Sequence, residues 1–264
     1  MTDAASVPDL APLHAWFASY CASFQNTDVD TQRNFALKEL HTRNVCELAR
    51  LIAQGGEPRR LMLAEVAALC HDLGRFPQFR DFHTFKDSES LNHAHLSAQI
   101  MKQNGLVDFL FESEQSCVLT AVRLHNVYQV PSGLEPETCD LLRLVRDADK
   151  IDIWRIFIEY FHQPESERAS GAGLGFPDLH ICSPEVLAAV GSEKMVPLSS
   201  LKSLDDFKLL QLSWVYDINL QNSFRLIKER GMLEQLAATL PDEEAVLDAV
   251  FRVQSYLERR VAGA

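Results

Sequence analysis

The spacing of apolar residues is the strongest constraint on the fold of this chain. Almost every periodic segment places its apolar side chains three or four residues apart, which is the repeat of an α-helix. No convincing run alternates apolar and polar residues in the period-two pattern of a β-strand. Internal repeats and low-complexity tracts are also absent from the sequence. We therefore predict an all-α fold in which the helices pack as a bundle.

A chain of 264 residues can bury a sizeable core, and we predict a single domain over 1–264. The core of the bundle is expected at about 35–160, with accessory helices at 10–24 and 184–260. The predicted helices cover 10–24, 28–53, 61–72, 91–103, 107–129, 136–162, 204–230 and 243–260. Two segments are predicted to be irregular. The segment 75–90 is rich in aromatic and charged residues, and 163–184, which contains Gly171, Gly173 and Gly175, is either a loop over a site or a linker.

The composition excludes some classes of partner. With 25 basic and 37 acidic residues the formal net charge is -12, which argues against binding to a nucleic acid polymer or an anionic membrane surface. No apolar run is long enough to span a bilayer. The first ten residues lack the basic and apolar regions of a signal peptide, and the six cysteines form no Cys-x-x-Cys motif. These features predict free thiols and a cytoplasmic location.

A histidine and an aspartate close an otherwise apolar run at His71-Asp72, with Gly74 and Arg75 directly behind them. Burying an imidazole and a carboxylate without partners would cost on the order of several kcal/mol. A divalent metal ion would compensate both groups, because neutral imidazole and carboxylate are good ligands for such ions. A solvent-facing helix end that carries the same dipeptide is the alternative.

Other polar residues lie on apolar helix faces. His41, for example, shares its stripe with Val45 and Leu48. Three histidines and two aspartates from four different helices would meet inside a bundle, where each needs a partner, and a shared metal site satisfies all of them. These residues are His41, His71, Asp72, His125 and Asp149.

At two places in the predicted helices, two nearby residues of the same type are candidates, and the helical pattern selects one of them. His93 and His95 point to nearly opposite sides of one helix, and the arc of Leu91, Ala94 and Ala98 favours His95. Asp147 is expected in solvent rather than with Asp149, because it shares a face with charged side chains. These side chains belong to Arg143 and Lys150.

The order of these residues resembles the HD-domain superfamily of metal-dependent phosphohydrolases over about residues 35–160. The resemblance rests on an ordered set of motifs: His41, His71-Asp72-Leu73-Gly74, the His95 segment that ends in Ser97-Ala98, His125-Asn126 and Asp147-Ala148-Asp149-Lys150-Ile151-Asp152. The run Gly74-Arg75-Phe76 and the run from Thr84-Phe85 through Asp87 and Ser90 to His93 resemble an uncharacterised bacterial branch of that superfamily.

The resemblance implies a metal site and a fold of helices. It gives His41, His71, Asp72 and Asp149 as metal ligands, since the final aspartate of the family usually sits in an Ala-Asp-Arg/Lys setting. In members with two metals, further histidines complete a second site, and His95 and His125 stand in those places. In members with one metal the same two histidines contact the substrate. The sequence leaves open one or two ions, and manganese, iron, cobalt, nickel, zinc or magnesium.

The function that this resemblance implies is hydrolysis of a phosphorylated small molecule, expected to be a nucleotide, by metal-activated water. Arg75 and Lys150 are the basic groups expected to bind substrate and to stabilise charge on phosphorus, and Asp72 or His125 is the expected general base or acid. Two alternatives remain: a di-iron oxygenase on the same ligands, and a regulatory module that binds metal or nucleotide without turnover. The sequence leaves the oligomeric state open.

Overall fold

The chain is described here by a computed structural model that covers residues 7–172 and 175–263. Over these residues the secondary structure is helical and contains no β-strand, so the all-α prediction is confirmed. The helices are α1 (Ala11–Ala22), α2 (Val29–Ala53), α3 (Pro58–Cys70), α4 (Arg75–Phe82), α5 (His93–Gln103), α6 (Glu112–Leu124), α7 (Pro136–His162), α8 (Pro184–Gly191), α9 (Leu204–Ser213), α10 (Gln221–Glu229), α11 (Met232–Ala237) and α12 (Glu244–Ala262).

The predicted start of α2 is accurate to one residue, and its capping residue is the expected one. Asp28 caps α2, and its carboxylate accepts the backbone N–H of Thr31 at 2.8 Å. The largest difference lies in the segment 75–90, which was predicted as a loop but contains α4. Pro77 does not prevent this helix, because a proline in the first helical turn removes no intrahelical hydrogen bond.

The described chain divides into two compact units, and a single domain stays a prediction. The first unit contains the described residues up to Asp149 together with Ala169–Gly171, and the second contains Lys150–Arg168 and the described residues from Ala172 onward. The boundary between the units therefore falls within α7, between Asp149 and Lys150. Gly173 of the segment 163–184 lies outside the described residues, as do the first six residues, to which the prediction on a signal peptide refers.

In the first unit α2 packs against α3 and α4, while α3 packs against α5 and α6. Aromatic side chains fill the space between α2 and α4, where the rings of Phe35 and Phe76 stack with centroids 6.0 Å apart. The short stretch Ala169–Gly171 returns to this unit, and the N–H of Gly171 donates to the side-chain oxygen of Asn34 at 3.1 Å. This packing holds α2, α3, α5 and α6 close together around one polar centre.

The second unit is built around α12, which packs against α8, α9, α10 and α11. The indole of Trp154 is fully buried in this unit, and its N–H donates to the backbone oxygen of Gln211 at 2.9 Å. The segment 204–230 was predicted as one helix, but it forms α9 and α10 with a 3-10 turn at Trp214–Asp217 between them. Among the described residues, no helix combines the length and apolar character needed to cross a bilayer.

Candidate metal centre

Side chains from five helices meet in the interior of the first unit. They are His41 from the middle of α2, His71 and Asp72 directly after α3, His93 at the start of α5, His125 directly after α6 and Asp149 from α7. The four histidines and Asp72 are all buried, and the side chain of Asp149 is 17% exposed. An assembly of two carboxylates and four imidazoles at this depth needs compensation for its lone pairs and its negative charge.

The carboxylate of Asp72 lies at the middle of this group. Its Oδ2 is 3.6 Å from Nε2 of His41 and 3.7 Å from Nε2 of His71. Its Oδ1 is 3.4 Å from Nε2 of His93 and 3.8 Å from Nε2 of His125. The two oxygens therefore face two different pairs of histidines, and Asp72 joins the pairs into one centre.

Asp149 adds a second carboxylate to the first of these pairs. Its Oδ1 is 3.1 Å from Nε2 of His41 and 3.7 Å from Nε2 of His71. Burial opposes ionisation of this carboxyl, but the neighbouring His41 and His71 lower its pKa well below the usual range. Asp149 is thus ionised at neutral pH and available as a metal ligand.

Two of the histidines are each oriented by a hydrogen bond to a backbone carbonyl three residues earlier. Nδ1 of His71 donates to the carbonyl of Ala68 at 2.7 Å, and Nδ1 of His125 donates to the carbonyl of Val122 at 2.8 Å. A carbonyl can only accept, so each Nδ1 carries a proton, and Nε2 of each ring faces the centre. Each bond also satisfies a carbonyl in the last turn of a helix, where the negative end of the helix dipole favours a nearby cation.

His93 is oriented by a carboxylate instead. Its Nδ1 lies 2.8 Å from each oxygen of Asp87. Burial would raise the pKa of Asp87, but the hydrogen bond from His93 and the positive charge of Arg75 lower it below its usual value. The ionised carboxylate accepts the Nδ1 proton of His93, an arrangement that is common behind metal-binding histidines.

The geometry of His93 and His125 provides a test of whether a cation fits. Their Nε2 atoms are 3.1 Å apart, and both carry lone pairs because both Nδ1 atoms are donors. Burial lowers the pKa of each ring, and that of His125 falls to about 3, so both rings are neutral at neutral pH. Two lone pairs at this distance repel each other unless a cation interacts with both. The donor set therefore fits a bound metal.

Two cations lie beside the bridging carboxylate. Nζ of Lys38 is 2.8 Å from Oδ2 of Asp72, and Nε of Arg75 is 3.4 Å from Oδ1. Burial of Asp72 would raise its pKa, but Lys38, His71 and Arg75 lower it well below the usual range. Nε of Arg75 is buried and has no hydrogen-bond partner among the described residues. The centre therefore contains positive side chains as well as candidate metal ligands.

Gly74 allows the start of α5 to approach the His71-Asp72 turn. A Cβ at this position would lie 2.3 Å from the backbone oxygen of His93 and 3.0 Å from the backbone nitrogen of Ser97. The N–H of Gly74 also donates to Oγ of the buried Ser97 at 2.8 Å. This close approach places His93 beside Asp72.

The structure brings together most of the residues that were predicted from the sequence. His41, His71, Asp72, His125 and Asp149 lie in one group, with Arg75 at its edge. The prediction for His95 needs correction, because its side chain is exposed and His93 takes the place expected for it. Along α5 the buried side follows His93, Ser97 and Met101, which is the i, i+4, i+8 face of the helix.

Two further predictions on α7 are also corrected. Lys150 was expected in the substrate site, but its ammonium pairs with Asp217 at 2.8 Å inside the second unit. One residue along a helix turns the side chain by about 100°, so neighbouring residues such as Asp149 and Lys150 point in different directions. Asp147 was expected in solvent and is instead fully buried, because this part of α7 is buried on nearly all sides.

Three participants were not assigned to the site from the sequence. Lys38 precedes His41 by three residues, so the helical stripe through His41 contained the signal for it. Asp87 and His93 both lie in the run from Thr84 to His93 that carries the resemblance to a bacterial branch. Their spacing alone did not show that one orients the other.

Comparison with known proteins agrees with this geometry. Residues 40–154 match the family model of the HD domain. No curated protein and no solved structure matches the chain. HD domains are in general metal-dependent hydrolases, and the matched residues include every histidine and carboxylate of the centre. The match over residues 40–154, which is less than half of the chain, supports membership of the HD-domain superfamily.

Proposed function

We propose that the protein is a phosphohydrolase that uses one or two divalent transition metal ions to hydrolyse a phosphorylated small molecule, with nucleotides as the first class to test. One observation supports this most directly. The two oxygens of Asp72 each face a pair of histidines, and Lys38 and Arg75 lie against the same carboxylate. Metal ligands and cations are thus combined at one buried point.

Each half of the centre has a distinct donor set. His41, His71, Asp72 and Asp149 would hold one ion, while His93 and His125 with the other oxygen of Asp72 would hold a second. When bound at such a site, a divalent metal lowers the pKa of a coordinated water and polarises a phosphoryl oxygen. Asp87 keeps the proton of His93 on Nδ1, and the carbonyls of Ala68 and Val122 do the same for the histidines that follow α3 and α6.

Arg75 and Lys38 supply positive charge for the phosphoryl group. Negative charge on the oxygens around phosphorus is stabilised in the transition state by cations that are already in place. Nε of Arg75 lies 3.4 Å from Asp72 and makes no hydrogen bond, so it remains a donor for substrate oxygens, and Nη1 of the same guanidinium donates to the side chain of Gln78 and the backbone oxygen of Phe85. Both cations are therefore positioned by the fold.

The proton-transfer role that the sequence suggested for His125 is assigned differently in this proposal. A ring with a pKa of about 3 is a poor proton acceptor at neutral pH but a good neutral ligand. Asp72, whose oxygens both face histidines, likewise serves first as a bridging ligand. The lysine at 150 has no part in the proposed chemistry, because it pairs with Asp217.

The direct test is a hydrolysis panel. Metal-stripped protein is supplied separately with Mn²⁺, Fe²⁺, Co²⁺, Ni²⁺, Zn²⁺ or Mg²⁺. The release of p-nitrophenolate is measured from bis(p-nitrophenyl) phosphate, and the release of the hydrolysis products, phosphate included, is measured from nucleotides and sugar phosphates. We expect turnover with at least one metal, and a loss of about 100-fold or more in Asp72→Asn. Asp81→Asn, which changes an exposed aspartate of the same unit, is the control and should keep full activity. No release with any metal would contradict the proposal.

A second function is favoured by the composition of the donor set. Four imidazoles and two carboxylates arranged around a bridging carboxylate also suit a pair of iron ions in an oxygenase. Repeating the panel under nitrogen separates the two, since hydrolysis needs no oxygen. Metal and nucleotide binding without any turnover, with or without air, would instead indicate a regulatory module.

A further inference from the structure

We propose that the second unit holds a separate divalent metal site, formed by Asp178, His180 and Asp205, which takes a zinc-like ion. One ligand atom from each of these residues lies within 4.8 Å of the others. An imidazole combined with carboxylates is the donor set of Zn²⁺, Mn²⁺, Co²⁺ and Ni²⁺, whereas Mg²⁺ and Ca²⁺ prefer oxygen ligands alone. All three residues belong to the second unit, so this site is distinct from the candidate metal centre of the first unit.

The buried carboxylate of Asp205 points to a ligand. Its side chain is 1% exposed, and Oδ2 has no hydrogen-bond partner, although it faces Nδ1 of His180 at 4.0 Å. The other oxygen is already engaged, because it accepts a hydrogen bond from Nζ of Lys208 at 2.7 Å. A buried carboxylate oxygen without a partner is costly, and a cation between it and His180 would remove that cost.

The segment that carries Asp178 and His180 is fastened to the start of α9, where Asp205 lies. The N–H of Leu204 donates to the carbonyl of Pro177 at 2.9 Å, and the hydroxyl of Ser203 donates to the carbonyl of Ile181. These two bonds flank the ligand residues on both sides. The three side chains are therefore brought together by hydrogen bonds that do not depend on the metal.

The neighbouring carboxylate of Asp206 fixes the same segment by hydrogen bonds and does not bind the ion. Asp206 accepts hydrogen bonds from the N–H and the hydroxyl of Ser183, both at 2.7 Å, and from the N–H of Lys202 at 2.9 Å. Its oxygens are thus occupied. Asp178 and His180 are exposed, with 57% and 79% of their side chains accessible, so an ion can enter from solvent and keep water in its remaining positions.

The experiment counts zinc in variants of the full-length protein. His180→Asn is compared with His83→Asn, because both histidines are exposed and both have a positive φ, of 49° and 51°, which asparagine tolerates. Metal-stripped protein is titrated with Zn²⁺ by calorimetry. We expect His180→Asn to bind one zinc ion fewer than wild type and His83→Asn to bind the wild-type number.

The comparison is independent of whether the candidate metal centre of the first unit binds zinc, because that centre is unchanged in both variants. As a second measurement, the imidazole resonances of His180 should shift in wild-type NMR spectra when Zn²⁺ is added, and Asp178→Asn should abolish the shift. Equal zinc stoichiometry in the two histidine variants, or an unshifted His180 resonance at saturating zinc, would overturn the proposal.

Discussion

His93 lies in the candidate metal centre, although His95 stands only two positions further along α5. Because Nε2 of His93 faces both Asp72 and His125, we expect His93→Ala to lose at least one equivalent of bound metal. His95→Ala is the matched control and should keep the full metal content, since its side chain is exposed. Elemental analysis of protein reconstituted with Mn²⁺ or Co²⁺ measures the difference. Full metal content in His93→Ala would exclude it as a ligand.

The choice between these two histidines shows what periodicity can miss at the scale of a residue. The sequence favoured His95 because Leu91, Ala94 and Ala98 were the obvious apolar neighbours. The buried face actually runs through Ser97, a polar residue that is buried because its hydroxyl accepts the N–H of Gly74. Gly74, which is distant in sequence, therefore determines which face of α5 is buried. No pattern within α5 alone reports such a partner.

Lys38 is a residue whose function can be separated from metal binding. Its ammonium contacts Oδ2 of Asp72, and it would meet the oxygens of a phosphorylated substrate near the metals. We expect Lys38→Met to lower kcat/KM for phosphate ester hydrolysis by about 10- to 100-fold, because a cation that stabilises developing charge is lost. Bound metal should be unchanged. Lys86→Met removes a lysine that pairs with Glu89 instead and should retain wild-type kinetics.

At the scale of elements, the centre depends on helix ends rather than helix middles. His71 and His125 directly follow α3 and α6, and His93 begins α5, so three of the four imidazoles lie where a helix starts or stops. Each end brings an unsatisfied backbone group or a change of direction that orients the ring. Only His41 and Asp149 are held by the middle of a helix.

The contact between the α3–α4 turn and α5 should be sensitive to one methyl group. In Gly74→Ala the new Cβ would meet the backbone oxygen of His93 at 2.3 Å, and backbone cannot yield as a flexible side chain can. We expect a loss of about 1–3 kcal/mol in the free energy of unfolding, together with weaker metal binding as His93 moves. Urea denaturation and metal analysis measure the two effects.

Gly191→Ala is the matched control for that substitution. Gly191 is the last residue of α8, and an added Cβ there would meet only Arg252 atoms at 3.8 Å, an ordinary contact distance. Its stability should be unchanged or slightly higher, because alanine is the better helix former. If Gly74→Ala were as stable as Gly191→Ala, the close approach would not be required.

The helices themselves were largely predictable, and the exceptions have local causes. Long amphipathic helices such as α2 and α7 were placed within a few residues of their observed ends. α4 was missed because its eight residues are mostly charged and aromatic, so it has little apolar repeat. The division of the chain within α7 was also unpredictable, since an uninterrupted helical pattern gives no sign of a boundary.

At the scale of the whole molecule, a buried polar centre makes stability depend on pH. Above its usual pKa of about 6.5, His125 is neutral in both the folded and the unfolded protein, so it has no effect. As pH falls below that value, the unfolded chain takes up a proton, whereas the folded protein, in which the pKa is about 3, does not. Acid therefore favours unfolding, and His93, whose pKa is also lowered by burial, acts in the same direction.

We expect metal-stripped protein to lose about 2 kcal/mol of unfolding free energy between pH 7 and pH 5 through His125 alone. Below about pH 4 the carboxyls of Asp72 and Asp149, whose pKa values are lowered in the folded state, should add to the loss. Urea titrations in EDTA measure this. His125→Gln should show a correspondingly smaller loss, and His95→Gln the wild-type loss. The same loss in wild type and His125→Gln would mean that His125 is not held neutral in the folded protein.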